Sequence, residues 1–311
     1  MPTPTRVIVD AFADKGQFTA MTLGSNGNVY VAETVYDNGT GGAAAGTSLF
    51  EVVPGVTMTK KTTVLSTPDI GIALSLAFRS KDSSGTNLVW MDGVEASGDL
   101  KQSAGGSVSV LSKNIAGAEL LSVGSDLYAD ADSSHCVARI DATTQTCSGA
   151  SYSNPLQGGS GFHVVNNKLY SADKNFIYVA DLSVSDIVTF ALPDSIKGDG
   201  TLPPVFDVTA DKAGNIFLGT RVGAWMRDAT TGAFTNIYGT TQIQQIEETF
   251  GFLYMNVIGT GLVERQWQTD HIYVVSQDIA INTRFAIGPQ RVHWIGAAEK
   301  SLLHFDFSAG G

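Results

Sequence analysis

Cysteine, positive charge and long apolar runs are all scarce in this chain, and each scarcity excludes something. Only two of its 311 residues are cysteine. With His135 as the sole further donor beside Cys136 and Cys147, a tetrahedral zinc site cannot be completed there. Lys and Arg number 19 against 30 Asp and Glu, a formal net charge of −11. That balance argues against wrapping a phosphate backbone, because nucleic-acid binders carry a basic patch or stripe that displaces counterions. No segment approaches eighteen consecutive apolar residues, so none reads as a helix spanning a bilayer. The opening Met1-Pro2-Thr3-Pro4-Thr5 has neither the basic start nor the apolar run of a signal peptide. Either the protein is cytosolic or its leader has been removed.

What is present points to β-structure. Charged residues make up 16% of the chain and Gly reaches 34, with abundant Ser and Thr, a composition suited to short strands and tight turns. A unit recurs: an extended apolar segment, a turn with Gly, Asn or Asp, then a strand carrying an aliphatic residue beside an aromatic one. The first copy runs from Phe18 to Ala32, and later copies centre on Trp90, Tyr128, Tyr170, Phe217, Tyr254 and Trp294. Together with Tyr30 these aromatics recur about every 44 residues, the period of a four-stranded propeller blade. Two further strand-like runs follow each copy, among them Leu49–Val52 then Thr63–Leu65, and Ile177–Val179 then Ile187–Phe190.

These observations predict an all-β, single-domain β-propeller over residues 1–311, with seven four-stranded blades, or six if one copy is irregular. The last copy ends after three strands while Arg6–Asp10 stands unattached at the start. We therefore expect the N-terminal strand to complete the last blade, closing the ring and removing exposed edges. Residues 37–46, rich in Gly and Ala, read as a surface insertion in the first repeat. Cys136 and Cys147 flank what reads as a hairpin. If its turn centres on Asp141-Ala142 the two face each other across an antiparallel pair, at a separation a disulfide can bridge. Two free core thiols are the alternative. A disulfide would favour a secreted or periplasmic protein.

The turn-and-strand cue is clearest in Gly24-Ser25-Asn26-Gly27-Asn28-Val29-Tyr30-Val31 and Asp211-Lys212-Ala213-Gly214-Asn215-Ile216-Phe217-Leu218. At the level of pattern it resembles the broad propeller superfamily of NHL-repeat, SMP-30/gluconolactonase and streptogramin-lyase-like proteins. The resemblance implies the fold. Neither the metal set of the lactonases nor the histidine pattern of the lyases can be placed on this sequence residue by residue.

In a propeller the start of each innermost strand and the end of the next open on one face, around a central channel. Those positions hold Thr19, Ser75, Glu119, His163, Asp207 and Glu247 on the inner strands. Glu33, Asp92, Asp130, Asp173, Arg221 and Asn256 hold them on the second. Carboxylates crowding a narrow mouth repel one another unless a cation offsets them, and Ca²⁺ or another hard divalent ion takes oxygen ligands of this type. We expect Glu33, Asp130, Asp173 and Asp207 as metal ligands, and His163 with Glu247 as an acid–base pair. Asp92, Glu119, Arg221 and Asn256 would then contact a small-molecule or glycan ligand. Strand-end capping is the competing role for the acids, and a hydrogen-bonded structural role for His163. His271, His293 and His304 fall on outer or alternating strand positions and carry little signal. No Gly-x-Ser-x-Gly, phosphate-binding loop, His-Glu-x-x-His or EF-hand spacing occurs, and Asp130–Ser134 only begins like a calcium loop. Two function classes follow. One is a hydrolase, lactonase or lyase acting at the mouth; the other is a non-enzymatic extracellular binding or self-assembling protein, with Trp90, Trp225, Trp267 and Trp294 as stacking surfaces.

Overall fold

The computed structural model describes residues 5–6, 16–36, 44–53, 60–82, 85–92, 99–112, 120–123, 126–131, 136–140, 145–146, 161–183, 187–197, 204–269, 271–279, 284–288, 291–296 and 301–307; between 121 and 146 it describes backbone alone. Among these residues the strands assemble into seven four-stranded antiparallel sheets. β1 is Thr5–Arg6. Sheet I is β2 (Gly16–Leu23), β3 (Val29–Tyr36), β4 (Ala44–Val53) and β5 (Lys60–Ser66). Sheet II is β6 (Ala73–Asp82), β7 (Gly85–Asp92), β8 (Asp99–Ala104) and β9 (Ser107–Ser112). Sheet III is β10 (Leu120–Val123), β11 (Asp126–Ala131), β12 (Cys136–Ile140) and β13 (Gln145–Thr146). Sheet IV is β14 (Phe162–Val165), β15 (Lys168–Ala172), β16 (Phe176–Asp181) and β17 (Ile187–Ala191). Sheet V is β18 (Val205–Ala210), β19 (Ile216–Thr220), β20 (Gly223–Arg227) and β21 (Phe234–Tyr238). Sheet VI is β22 (Ile243–Thr249), β23 (Phe252–Val257), β24 (Gly261–Gln266) and β25 (Ile272–Ser276). Sheet VII joins β26 (Ala286–Ile287), β27 (Arg291–Gly296) and β28 (Ser301–Asp306) to β1, in the order β1-β28-β27-β26. This succession of four-stranded meanders is the β-propeller architecture.

All seven repeat aromatics lie on the second strand of their sheets. The N-terminal strand completes the last sheet as expected, with Thr5 opposite His304 and Arg6 opposite Leu303. The insertion in the first repeat is shorter than the sequence suggests, because Ala44–Gly46 already belongs to β4.

The chain forms two compact units, one of residues 1–147 and 283–311 and one of residues 148–282. In the first, Tyr30, Ala32 and Leu49 of sheet I pack with Leu76, Phe78, Leu88 and Trp90 of sheet II in one apolar cluster. In the second, sheet V is covered on both faces. Ile216 and Leu218 of β19 pack toward sheet IV, while Phe217 packs with Ile243, Ile246 and Met255 of sheet VI. A strand buried on both faces has no polar side to show, which is why all five β19 residues are buried. Gly219 belongs to that contact, since a Cβ there would come within 3.1 Å of the Ile243 carbonyl oxygen.

The turn cue has a physical basis. The Asp211 carboxylate accepts from the Asn215 backbone N–H at 2.8 Å and from its Nδ2 at 2.7 Å, and Gly214 between them has φ +89°. The Asn215 Oδ1 in turn accepts from Ala229 N–H at 2.9 Å, tying the hairpin to the next loop. Gly214 takes the left-handed conformation at no steric cost, and Asp and Asn satisfy the turn's backbone donors.

Candidate functional site

Four innermost strands, β2, β6, β18 and β22, carry a register shift close to their start: between Phe18 and Ala20, Ala73 and Ser75, Val205 and Asp207, and Ile243 and Gln245. A bulge puts two residues against one and re-aims the side chains that follow it. Two of the residues that follow reach the next sheet. Ser75 Oγ accepts from the backbone N–H of Leu120 at 3.0 Å, tying sheet II to sheet III. Asp207 Oδ2 accepts from Ile246 N–H at 2.9 Å, tying sheet V to sheet VI, while its Oδ1 accepts from Val208 N–H at 2.9 Å. Asp207 is 3% exposed. Sequence reasoning places this carboxylate at the start of an inner strand, as a metal ligand or as a strand-end cap, and does not resolve its bond to Ile246 of the next sheet.

Asp173 and Asp92, at other strand ends, are also engaged. Asp173 follows β15, and its Oδ1 accepts from the backbone N–H groups of Asn175 and Phe176, both at 2.6 Å, while Oδ2 accepts from the Tyr178 hydroxyl at 2.8 Å. Burial first, and then the Asp173 carboxylate, push the Tyr178 phenol up. Asp92, at the end of β7, accepts from Ile72 N–H at 2.9 Å and forms an ion pair with Lys101. Lys101 also donates to the Asp69 carbonyl. Gly71, beside this contact, has φ +73°, and a Cβ there would collide with the Asp92 carboxylate. Glu33 is buried on β3, in cross-strand register with Phe18 and Ser48. In the same sheet, hydroxyls form a chain from Thr19 through Thr34 and Thr47 to the Gly71 carbonyl.

His163 lies on β14 opposite Tyr170. Burial lowers its imidazole to about 4, so it is neutral at physiological pH. Glu247 lies on β22 opposite Tyr254. Arg221 stacks its guanidinium over Phe206, 5.5 Å from the ring centroid, as a cation–π pair. Asn256 is 3% exposed, and its Nδ2 finds no hydrogen-bond partner among the described residues. Asp130 lies in β11 opposite Val137, described by its backbone only; Glu119 lies outside the described residues. Among the described residues no group of three or more His, Cys, Asp or Glu side chains stands close enough to hold a metal ion.

Two expectations change here. Trp90 and Trp294 are not stacking surfaces, because both are fully buried; Trp225 and Trp267 are partly buried against the sheet IV/V and V/VI clusters. In the cysteine hairpin, the pairs Arg139↔Thr146 and Ile140↔Gln145 centre the turn between positions 142 and 143. Direct opposition of Cys136 and Cys147 needs it one position earlier. Cys147 lies outside the described residues.

The outer strands present a different surface. Of these, β5 carries Lys60 and Lys61 and β1 carries Arg6, whereas β9, β17, β21 and β25 carry no charged residue. Val110, Ile187, Val188 and Ile272 on them are 37% to 52% exposed. Strand edges are commonly blunted with Lys, Pro or inward charges, and these are not.

No family model matches the chain, and no curated protein matches it. Solved structures do. The WD40 β-propeller domain of Doa1 is 11% identical with a TM-score of 0.65, covering 99% of this chain and 98% of that one. BamB from Moraxella catarrhalis is 10% identical with a TM-score of 0.58, covering 93% of this chain and 85% of that one. A chain in a crystal structure of a mitotic checkpoint complex is 11% identical with a TM-score of 0.64, each chain covered to 96%. At such identities the likeness establishes the β-propeller fold and nothing narrower.

Proposed function

We propose that this chain is a binding propeller that engages a protein partner, and that its strand-end carboxylates are structural. The observation that carries this reading is the state of Asp173 and Asp207, whose oxygens are occupied by backbone N–H groups and a tyrosine hydroxyl. A carboxylate must give up such bonds to ligate a metal, and burial makes each abandoned donor costly. The four outer strands without charge, β9, β17, β21 and β25, support the same reading, since an exposed sheet edge recognises an extended segment by main-chain hydrogen bonds. A mitotic checkpoint complex is itself an assembly, which places one propeller of this size among protein partners. The net charge of −11 suits a partner of neutral or basic surface. A secreted or periplasmic setting accompanies this proposal, and a Cys136–Cys147 link found by non-reducing mass spectrometry would support it; two free thiols would remove it.

The test against a metal-dependent hydrolase, lactonase or lyase of the broad NHL/SMP-30/streptogramin-lyase-like grouping is direct. Ca²⁺, Mg²⁺ and Mn²⁺ are each added to chelator-treated protein while the melting midpoint is followed. An unchanged midpoint with all three is the expected result. Binding of a cation to the folded state would raise it by mass action. A rise that Asp173→Asn abolishes would overturn the binding reading.

A further inference from the structure

Sheet VII draws strands from both ends of the chain, and one cross-sheet row within it runs Ala286, His293, His304, Thr5. The two imidazoles stand edge to face with centroids 5.7 Å apart. His293 is fully buried and His304 is 5% exposed. Neither ring nitrogen of His293, nor Nδ1 of His304, has a hydrogen-bond partner among the described residues. Two neighbouring basic groups are thus enclosed, and the strand that ends the row is the short N-terminal one.

The charges around the row are few. Arg291 stands two residues before His293, and Asp306 two residues after His304, so both share the histidines' face. Arg291 Nε bonds Asp306 Oδ1 at 3.0 Å, and the same oxygen lies 3.6 Å from His304 Nε2. Among the described residues Asp306 is the carboxylate beside the row, and its Oδ1 is shared between Arg291 and His304. The flanking strands contribute Ala286 and Thr5, which do not titrate, and Arg6 belongs to the next row, opposite Leu303. A proton on His293 would meet no carboxylate partner among the described residues, and one on His304 would have to share Asp306 with Arg291. Burial first, then His304 and Arg291, lower the His293 imidazole to about 3. Burial also lowers His304, with Asp306 opposing the shift.

We propose that His293 and His304 form an acid-sensitive latch on the N-terminal strand, whose protonation in mild acid releases β1 from β28. With the row open, each imidazole regains water and its ordinary affinity for protons. The open state then binds more protons than the closed one at every pH between the ordinary histidine value of 6.5 and the lowered value near 3. Closure is accordingly complete above pH 6.5 and is lost as pH falls below it. His293 shifts the equilibrium by up to about tenfold per pH unit in that window, and His304 shifts it in the same direction. This does not depend on the partner-binding proposal.

Hydrogen exchange on the intact chain at pH 7.5 and 5.5, expressed as protection factors, tests the latch. Peptides covering residues 1–10 and 301–307 are expected to lose protection about tenfold or more at pH 5.5, while peptides of sheet V keep theirs. The double variant His293→Leu, His304→Leu is expected to show equal protection at both pH values. Retained acid loss in the double variant, or parallel loss in sheet V of the wild type, would overturn the proposal. Should the double variant fail to fold, histidine titration by NMR on the wild type decides instead. Ordinary values near 6.5 for both residues in the folded protein would refute the latch.

Discussion

Asp207 and His293 lie almost equally deep, 3% and 0% exposed, and their surroundings treat them in opposite ways. Asp207 sits between two strands of adjacent sheets and receives a backbone N–H from each. His293 sits in a row of side chains on one sheet and receives nothing from the described residues. The difference is one of location. A bulged inner strand exposes unpaired backbone donors that a carboxylate can fill, whereas in a regular antiparallel ladder the backbone groups are already paired and leave nothing for an imidazole. Acidic residues near the bulges and turns thus strengthen the fold, while the buried histidines make one sheet dependent on pH.

The comparison can be broken or sharpened by substitution. Asp207→Ala should have the largest effect, about 3 kcal/mol by urea denaturation, because it strands two buried N–H groups. Asp207→Asn, which keeps one acceptor oxygen, should lose roughly half of that. An Asp207→Ala protein as stable as the wild type would show that the tie between sheets V and VI is dispensable.

Glu51 occupies an intermediate place, buried on β4 but fully partnered. It accepts from Lys81 at 2.6 and 2.7 Å, from Asn28 Nδ2 at 2.7 Å and from the Tyr30 hydroxyl at 3.0 Å. Burial alone would raise its carboxyl, but Lys81, Asn28 and Tyr30 outweigh that and hold it below 4.5. Removing the acceptor by Glu51→Ala should cost about 2 kcal/mol. Its sign with pH is the reverse of an unassisted buried acid. The stability it supplies is present above pH 4.5 and lost as pH falls through the lowered folded value. Acid titration of the melting midpoint should therefore separate two losses, one starting below about pH 6.5 from the histidine row and one below about pH 4.5 from Glu51. Only the second should vanish in Glu51→Gln.

Smaller effects complete the series. Tyr254 donates its hydroxyl to Glu264, its cross-strand partner, and burial, followed by that carboxylate, raises the phenol. Tyr254→Phe should cost about 1 kcal/mol. Lys197→Ala breaks a 3.4 Å pair with fully exposed Asp194 and should leave the urea midpoint unchanged. A larger loss at Lys197 than at Tyr254 would mean that burial does not rank these interactions.

Much of the fold was legible because it repeats. A period of 44 residues, an aromatic on each second strand and a turn with Gly, Asn or Asp before most of them are local patterns, and each reflects a local cause: alternation across a strand, and turns that need a left-handed Gly or Asn. The candidate site was far less legible. Glu33, Asp92, Asp173 and Asp207 were all readable as strand-end acids, but nothing in their spacing distinguishes a side chain facing an axis from one bonded to the neighbouring sheet. The bulge that redirects Asp207 leaves no mark in the sequence beyond one residue out of register.

Composition and repeat thus determined that the chain is a β-propeller of four-stranded units with its first strand borrowed by its last sheet, since hydrophobic period and turn chemistry are properties of neighbouring residues. Only the tertiary structure decided that Asp173 and Asp207 accept from backbone donors and that His293 and His304, eleven residues apart in sequence, form a buried pair. Those outcomes depend on strand register and bulges, which bring together groups that no local pattern relates.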